Sequence, residues 1–468
     1  MSARSLPAVA VRPLLAVVVA RCALSLAVAG RYGWQRDELY YAVAGRHLQG
    51  GYVEFPPVTA LLAALSHLLF GYSLVGLRLF TVLAGAATIV LAALVARELG
   101  GGRRAQAIAA VAVGFAPVLL ATNGLFQPVS FDQTATMLVL WLALRLALGR
   151  GSWIALGIAA GVGLETKYTL AVVLVVLVAA FAAWRRDVLR SRGFPVALVL
   201  AGLVFVPNLV WEAGHGWISV HWFLHPPPSA SDETRPQFLA NLGLDTLAVP
   251  VALAGVVSLW HDARLRPLAV TVVATVLAYF VLGGKSYYAM PVVFFALAAG
   301  APATERWATP RRLAVSAAAF FAIVILSLPL TLPVLPLRTA IEHGVIKDRT
   351  DYQDELGWYA LARQVERLAP GSDVVIASNY GEAGALDLFG HGLPPVATGD
   401  VTFRYWRPRV AGRRALLVGF AAPRFCHGYT VVGRIAMPTA NEERGLPIAT
   451  CTLDGSLATV WGQIVRAA

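Results

Sequence analysis

Charged side chains are scarce in this chain. Asp, Glu, Lys and Arg make up 14% of its 468 residues, where a soluble globular domain carries about a quarter. Together with 58% hydrophobic residues and a mean hydropathy of +0.67, that scarcity excludes a soluble globular enzyme. There are three cysteines, too few for a disulfide-stapled scaffold, and no Cys/His spacing of the metal-binding kind. No Gly-rich phosphate loop opens a helical segment, so no nucleotide cofactor is expected.

What fills the chain instead is long apolar runs. A spanning helix needs about 20 largely apolar residues. The sequence supplies about eleven such stretches, near 11–29, 73–98, 105–121, 133–148, 152–164, 168–183, 194–211, 242–260, 267–282, 287–303 and 312–334. The short stretch 152–164 can be half of a broken pair with 168–183. The first stretch reads as a retained anchor, because Arg21 interrupts it and no small-residue cleavage site follows.

The net charge of +12 follows topology. Arginines gather in alternate short loops: Arg103 and Arg104; Arg150; Arg185, Arg186, Arg190 and Arg192; Arg264 and Arg266; Arg306, Arg311 and Arg312. With eleven spans and a cytoplasmic N-terminus, all of these loops fall inside, as the positive-inside rule asks. No nucleic-acid partner is therefore implied. The expectation is a multi-pass plasma-membrane protein with residues 1–336 in a transmembrane domain. Residues 337–468 regain charge and turn residues and are expected to form a small extracytoplasmic α/β domain. There, apolar runs at Val374–Ala377, Ala415–Phe420 and Tyr429–Val432 suit strands, and Trp358–Leu368 has helical periodicity.

The polar clusters near span ends all fall on the predicted outer side. The loop 30–72 is too long for a simple connection. It holds two amphipathic stretches, 39–48 and 58–70, suited to the membrane interface. Asp37-Glu38-Leu-Tyr40-Tyr41 leads into the first of these, and Glu54-Phe-Pro56-Pro57 stands just before the second. Adjacent acids at a membrane surface are costly, and a carboxylate can take a proton from an attacking hydroxyl. Asp37 and Glu38 are thus the catalytic candidates, although Asp37 also suits an N-cap. Asp132, entering the fourth span, can cap that helix or face the same cavity. Lys167 in Glu165-Thr-Lys-Tyr168 and Lys285 in Gly283-Gly-Lys-Ser-Tyr287-Tyr288 suit a phosphate, or simple snorkelling. His215, His221 and His225 share one outer loop, and His221 with Glu54 is the candidate pair for a divalent cation. Cys426 and Cys451 both lie in the outer domain, where they can form a disulfide or stand as two buried thiols.

These residues carry a resemblance. The stretch Arg36-Asp37-Glu38-Leu-Tyr-Tyr41, then Gly45-Arg46-His47-Leu48 and Gly51-Tyr52-Val53-Glu54-Phe55-Pro56-Pro57, resembles GT-C glycosyltransferases of the protein-mannosyltransferase and lipid A aminoarabinose transferase-like group. Asp132, Lys167-Tyr168 and Gly284-Lys285-Ser-Tyr287-Tyr288 add support, and Ser378-Asn379-Tyr380-Gly-Glu382 resembles the C-terminal domain of an actinobacterial branch. The resemblance implies a polyprenyl-phosphate sugar donor and inverting transfer to an acceptor hydroxyl at the outer face. It implies Asp37 as base or acceptor-positioning acid, Glu38 and Glu54 near the acceptor or a metal, and Lys285 on the departing phosphate. Tyr40, Tyr41, Asp132, Lys167, Tyr287 and Tyr288 complete the expected substrate site. Phe55 departs from the pattern, since relatives often place His or Lys there. The competing readings are a flippase for a lipid-linked glycan, disfavoured by polar groups gathered at one surface without repeats, and a non-catalytic scaffold.

Overall fold

A computed structural model describes residues 6–224, 233–438 and 441–468. Every predicted apolar stretch is helical. In chain order the helices are α1 (Val11–Val28), α2 (Arg36–Ala44), α3 (Val58–Phe70), α4 (Leu74–Glu98), α5 (Arg103–Gly114), α6 (Pro117–Thr122), α7 (Pro128–Ala147), α8 (Trp153–Leu164), α9 (Thr169–Trp184), α10 (Arg186–Leu189) and α11 (Gly193–Gly214). They continue as α12 (Ile218–Leu224), α13 (Arg235–Thr246), α14 (Val249–His261), α15 (Arg266–Leu282), α16 (Met290–Trp307) and α17 (Pro310–Thr331). Among the described residues, α1, α4, α11 and α17 are each long and apolar enough to cross a bilayer, and α13 with α14, bent by 94°, form a fifth span if counted together.

Local chemistry explains the breaks. Pro117 cannot continue α5, so the predicted span 105–121 splits into α5 and α6. The carbonyls of Gly114 and Leu119, beside that break, accept from the buried Arg21 guanidinium at 3.1 and 3.0 Å. The arginine that interrupts the first apolar run therefore serves the third. Between α14 and α16 two glycines bring backbones together. A Cβ on Gly255 would lie 1.9 Å from the Ala296 carbonyl oxygen, and one on Gly300 equally near that of Val251. Small residues at the contact are how helices without a hydrophobic drive between them pack in lipid.

Past α17, three short helices, α18 (Leu337–Glu342), α19 (Val345–Asp348) and α20 (Thr350–Gln353), lead to α21 (Trp358–Leu368). A five-stranded sheet follows: β1 (Val374–Ala377), β2 (Val396–Ala397), β3 (Arg414–Val418), β4 (Cys426–Arg434) and β5 (Pro447–Leu453), in the order β2-β1-β3-β5-β4. β1 is parallel to β2 and β3, and β5 is antiparallel to β3 and β4. Helices α22 (Tyr380–Phe389) and α23 (Leu457–Ala467) cover it. Strand alternation splits the faces: Val374, Ile376 and Leu417 pack with Val460 and Ile464 of α23, while Val375, Ala377, Leu416 and Val418 join the core of α2 and α3. Cys426 and Cys451, on adjacent strands, are disulfide-bonded.

The first-loop helices divide. α3 exposes Leu61, Leu65, Leu68, Leu69 and Phe70, a face fit for the membrane interface. The expectation of a second interfacial helix over 39–48 is wrong. α2 ends at Ala44, buries everything from Glu38 to Ala44, and lies between α3 and α22, where Gly45 abuts Ala63 and Gly384 abuts Leu39.

One buried ion pair fixes α2. Arg78 of α4 grips Glu38 with Nε and Nη2, both at 2.8 Å, and donates to the carbonyls of Ala29 and Gly33 at 2.9 Å each. Glu38 also accepts from the backbone N–H groups of Gln35 (2.9 Å) and Phe126 (2.7 Å). Every strong acceptor position on this carboxylate is thus taken. Deleting one partner strands the other without compensation, a loss of about 3–5 kcal/mol. Arg78→Ala and Glu38→Gln should therefore each lower the unfolding temperature in detergent far more than Arg338→Ala at the 90% exposed Arg338. Equal shifts would show the pair to be dispensable.

Candidate active site

Gln35, not Asp37, caps α2: its Oε1 accepts from the Asp37 N–H at 2.7 Å, and Glu38 returns the bond to the Gln35 N–H. Asp37 is left with its side chain uncommitted to the helix. Its Oδ1 accepts from the Tyr380 hydroxyl at 2.7 Å, across 343 residues of sequence. Burial holds the Asp37 carboxyl above the usual carboxylate range. The Tyr380 bond opposes this, Asp351 and Glu38 add to it, and Arg36 offsets it.

Beside it lies an aromatic cluster. Tyr40, Tyr41 and Tyr52 pack around Phe55 at ring distances of 5.4, 5.0 and 4.6 Å. Phe55 is 1% exposed, so a charged residue at this position would sit unsolvated among rings. The departure from the family pattern is thus a packing choice. The Tyr40 hydroxyl lies 2.8 Å from Glu54 Oε2 and 2.6 Å from Thr402 Oγ1. Burial pushes the Glu54 carboxyl up to about 8, with the Tyr40 bond opposing. At neutral pH Glu54 is therefore mainly protonated, which suits a hydrogen-bonding group better than a cation ligand.

Asp132 lies five positions into α7, four beyond the first helical residue Pro128, so it does not cap the helix. It is 3% exposed, and the charge of Lys167 acts on it. Lys167 Nζ stands 4.8 Å over the Tyr288 ring and 5.8 Å over that of Tyr287. Lys285 acts on Tyr288 from the loop between α15 and α16. Neither lysine forms an ion pair with a carboxylate among the described residues. Tyr287 feels the charges of Asp37 and Asp351, and Tyr41 those of Asp37 and Glu54. The tyrosine pair thus joins the Asp37 group to the Lys167–Asp132 group. Nearby, a cavity of about 450 Å³ opens between α3, α11 and residues 48–50, lined by Leu48, Pro57, Leu61, Val204 and Pro207, with Glu165 at its wall. None of the Asp37 or Asp132 group lines it. Glu165 precedes Lys167 by two residues.

The metal expectation does not fit. Among the described residues no three His, Cys, Asp or Glu side chains gather as a ligand set. Glu54 is engaged by Tyr40, and His221 lies exposed on α12. His215 stacks on Trp211 at 4.1 Å and bonds its carbonyl, a packing role, and His225 lies outside the described residues.

Several groups here have no mark in local sequence. Arg36 pairs with Glu443 (2.6 Å) and Glu442 (2.9 Å), Asn379 reaches Glu443 at 3.1 Å, and Thr402 accepts from the Val53 N–H at 2.9 Å. Tyr380 stands in a stretch whose resemblance is visible but whose partner is not.

Comparison with known proteins agrees with this architecture. Residues 54–211 match the family model for dolichyl-phosphate-mannose-protein mannosyltransferase. The chain is 28% identical over 299 residues to an undecaprenyl phosphate-alpha-4-amino-4-deoxy-L-arabinose arabinosyl transferase of Pseudomonas aeruginosa (strain UCBPP-PA14), covering 57% of this chain and 52% of that protein. It is 30% identical over 225 residues to arabinosyl transferase 1 of Pseudomonas fluorescens (strain ATCC BAA-477), covering 43% and 41%. The chain spans about half the length of the curated relatives it matches. In structure it is similar to ArnT from Cupriavidus metallidurans bound to undecaprenyl phosphate, with a TM-score of 0.61 at 16% identity over 94% of this chain and 98% of that one. The mycobacterial arabinofuranosyltransferase AftD gives a TM-score of 0.51 at 16% identity over 95% of this chain and 40% of that one. By sequence match the chain is similar to mannosyltransferase-like and aminoarabinose transferase proteins, and it shares its fold with ArnT.

Proposed function

We propose that this membrane protein transfers a sugar from a polyprenyl-phosphate donor to an acceptor hydroxyl at the outer face of the membrane, with inversion. The observation that carries the reading is one polar cluster in which Tyr287 and Tyr288 join a carboxylate, Asp37, to two lysines, Lys167 and Lys285, in a fold shared with a protein that binds undecaprenyl phosphate. In the proposed step the acceptor oxygen attacks the anomeric carbon and its proton passes to Asp37. The bond from that carbon to the phosphate oxygen breaks, and the electron pair stays on the phosphate. Lys285 and Lys167 offset the charge left there. A phosphate is already a good leaving group, so no strong general acid is needed.

The remaining roles follow from position. Tyr287 and Tyr288 line the path between base and phosphate, and Tyr41 borders it. Asp132 sets Lys167. Glu54 and Tyr40 support the acceptor side, and Glu38 acts by holding α2 rather than by touching substrate. The lateral cavity beside Glu165 suits an apolar chain arriving from lipid. The loop-charge pattern supports a cytoplasmic N-terminus, about eleven crossings, a transmembrane domain over 1–336 and an outer domain over 337–468. A lipid-transport reading gains nothing from relatives named as transferases.

Asp37→Asn should reduce transfer from polyprenyl-phosphate sugars by about 10²–10⁴-fold without lowering stability, while Lys285→Ala should raise the donor KM more than it lowers kcat. Assays in membranes with mannose- and arabinose-type donors decide this, and full turnover by Asp37→Asn would remove Asp37 from the chemistry. For Glu54, folding raises a carboxyl of about 4.3 in the unfolded chain to about 8. The folded state then holds a proton that the unfolded state gives up, so stability falls as pH rises through this window. Glu54→Gln should flatten that fall between pH 5 and 8.5. A thermal-melt series with parallel wild-type and variant slopes would contradict it.

A further inference from the structure

Among the described residues, one hydrogen bond ties the C-terminal layer to the proposed base. Tyr380 opens α22, and its hydroxyl donates to Asp37 Oδ1 at 2.7 Å. This tyrosine is held on every side. Its backbone N–H donates to Asp400 Oδ2 at 3.1 Å, and its ring lies 5.4 Å from Tyr40. The Arg36 guanidinium stands 5.7 Å over that ring and is itself fixed by Glu443 and Glu442. Asn379, just before it, caps α22 by accepting from the Glu382 N–H at 3.0 Å and also reaches Glu443. Gly381 abuts Arg36 so closely that a Cβ there would lie 2.6 Å from the Arg36 Cγ. Asp37 Oδ2, by contrast, has no protein donor among the described residues.

Resting on the transferase reading above, we propose that Tyr380 is a positioning residue for Asp37. Its phenol fixes Oδ1 and thereby turns Oδ2 toward the acceptor hydroxyl. The C-terminal layer then completes the active site and is more than an accessory. The geometry fits the chemistry of the step. A carboxylate free to rotate presents either oxygen, whereas one held by a single short bond presents the other in one direction, which is what proton removal requires. Only the ionised carboxylate can accept the acceptor's proton, and a donor on Oδ1 favours that form. The charged and titratable groups that face Asp37 are Arg36 and Glu38 on its own helix, Tyr41 one turn on, Asp351 and Asp354 from the segment before α21, Tyr287 from the α15–α16 loop, and Tyr380. Arg36 and Tyr380 favour the ionised form and the other acids oppose it, so removing the phenol leaves Arg36 alone against them.

The test uses the full chain in lipid nanodiscs with Tyr380→Phe, which lacks only the donor hydroxyl, and Tyr380→Met as a second variant that lacks the hydroxyl and the ring. Asp37 is titrated from pH 4 to 9 by carbodiimide coupling to an amine, which needs the protonated carboxyl, read by peptide mass spectrometry. Transfer is measured over the same range. The labelling midpoint should rise by about one pH unit in both variants. The acid limb of kcat should move with it, the donor KM should hold, and unfolding temperatures should stay near wild type. Thr402→Val, which perturbs Tyr40 and not Asp37, should leave the midpoint in place. An unchanged midpoint overturns the proposal, as does a shifted midpoint with an unshifted acid limb in an active enzyme. Wild-type protein inactive with every polyprenyl-phosphate sugar would instead overturn the transferase reading, and the labelling midpoint alone would then decide whether Tyr380 sets the ionisation of Asp37.

Discussion

The site depends on one buried ion pair. Arg78 and Glu38, 1% and 0% exposed at their side chains, are costly to remove from water, and that cost is offset because nearly every donor and acceptor on both finds a partner. The partners come from the end of α1, the turn before α2, the loop before α7 and, through Glu355 at 3.4 Å, the segment leading to the C-terminal layer. A short helix such as α2 has little stability of its own. Held by this clamp, it presents Asp37 on one side and Tyr40 and Tyr41 on another with almost no freedom.

This explains why two adjacent acids do different work. Asp37 and Glu38 differ by about 100° around the helix, enough to send one carboxylate to Tyr380 and the other to Arg78. The buried one meets a bidentate arginine and two backbone N–H groups. The other meets a phenol and keeps an oxygen without a protein donor. Neither fate is visible in the dipeptide, since both residues are equally acidic and equally good near a helix N-terminus.

The fold was legible where its physics is local. Apolar length marked all eleven helical stretches, alternation marked β1, β3 and part of β4, and periodicity marked α21 from Trp358 to Leu368. The misses follow from tertiary effects. The segment 39–48 looks interfacial because its tyrosines and alanines suit a headgroup region, but the C-terminal layer covers it, and nothing within ten residues announces that. β5 was missed because its alternate residues are Thr and Ala rather than β-branched apolar pairs, although the Cys451 within it marked the sheet's disulfide. Within the site, Asp37, Lys167, Lys285 and the tyrosine pair stand out as polar groups at span ends. Arg78, Arg36 and Tyr380 do not, because an arginine inside an apolar helix and a tyrosine in the C-terminal layer have many ordinary explanations.

The shared core sets a limit on how independent the two parts of the chain can be. Leu39, Tyr40 and Ala42 of the first loop pack in one cluster with Val375, Leu416 and Val418 of the sheet and Trp358 of α21. Residues about 340 apart in sequence thus bury the same apolar surface, and each side would expose that surface without the other. Polar contacts repeat the pattern at the rim: Arg46 with Asp387 at 2.9 Å, Arg36 with Glu443, and Tyr40 with Thr402. A layer that merely displayed a recognition surface would need a linker and a small polar interface. One that inserts its sheet face beneath the helix carrying Asp37 makes the position of that carboxylate depend on its own docking, so anything that shifts the layer shifts the carboxylate with it.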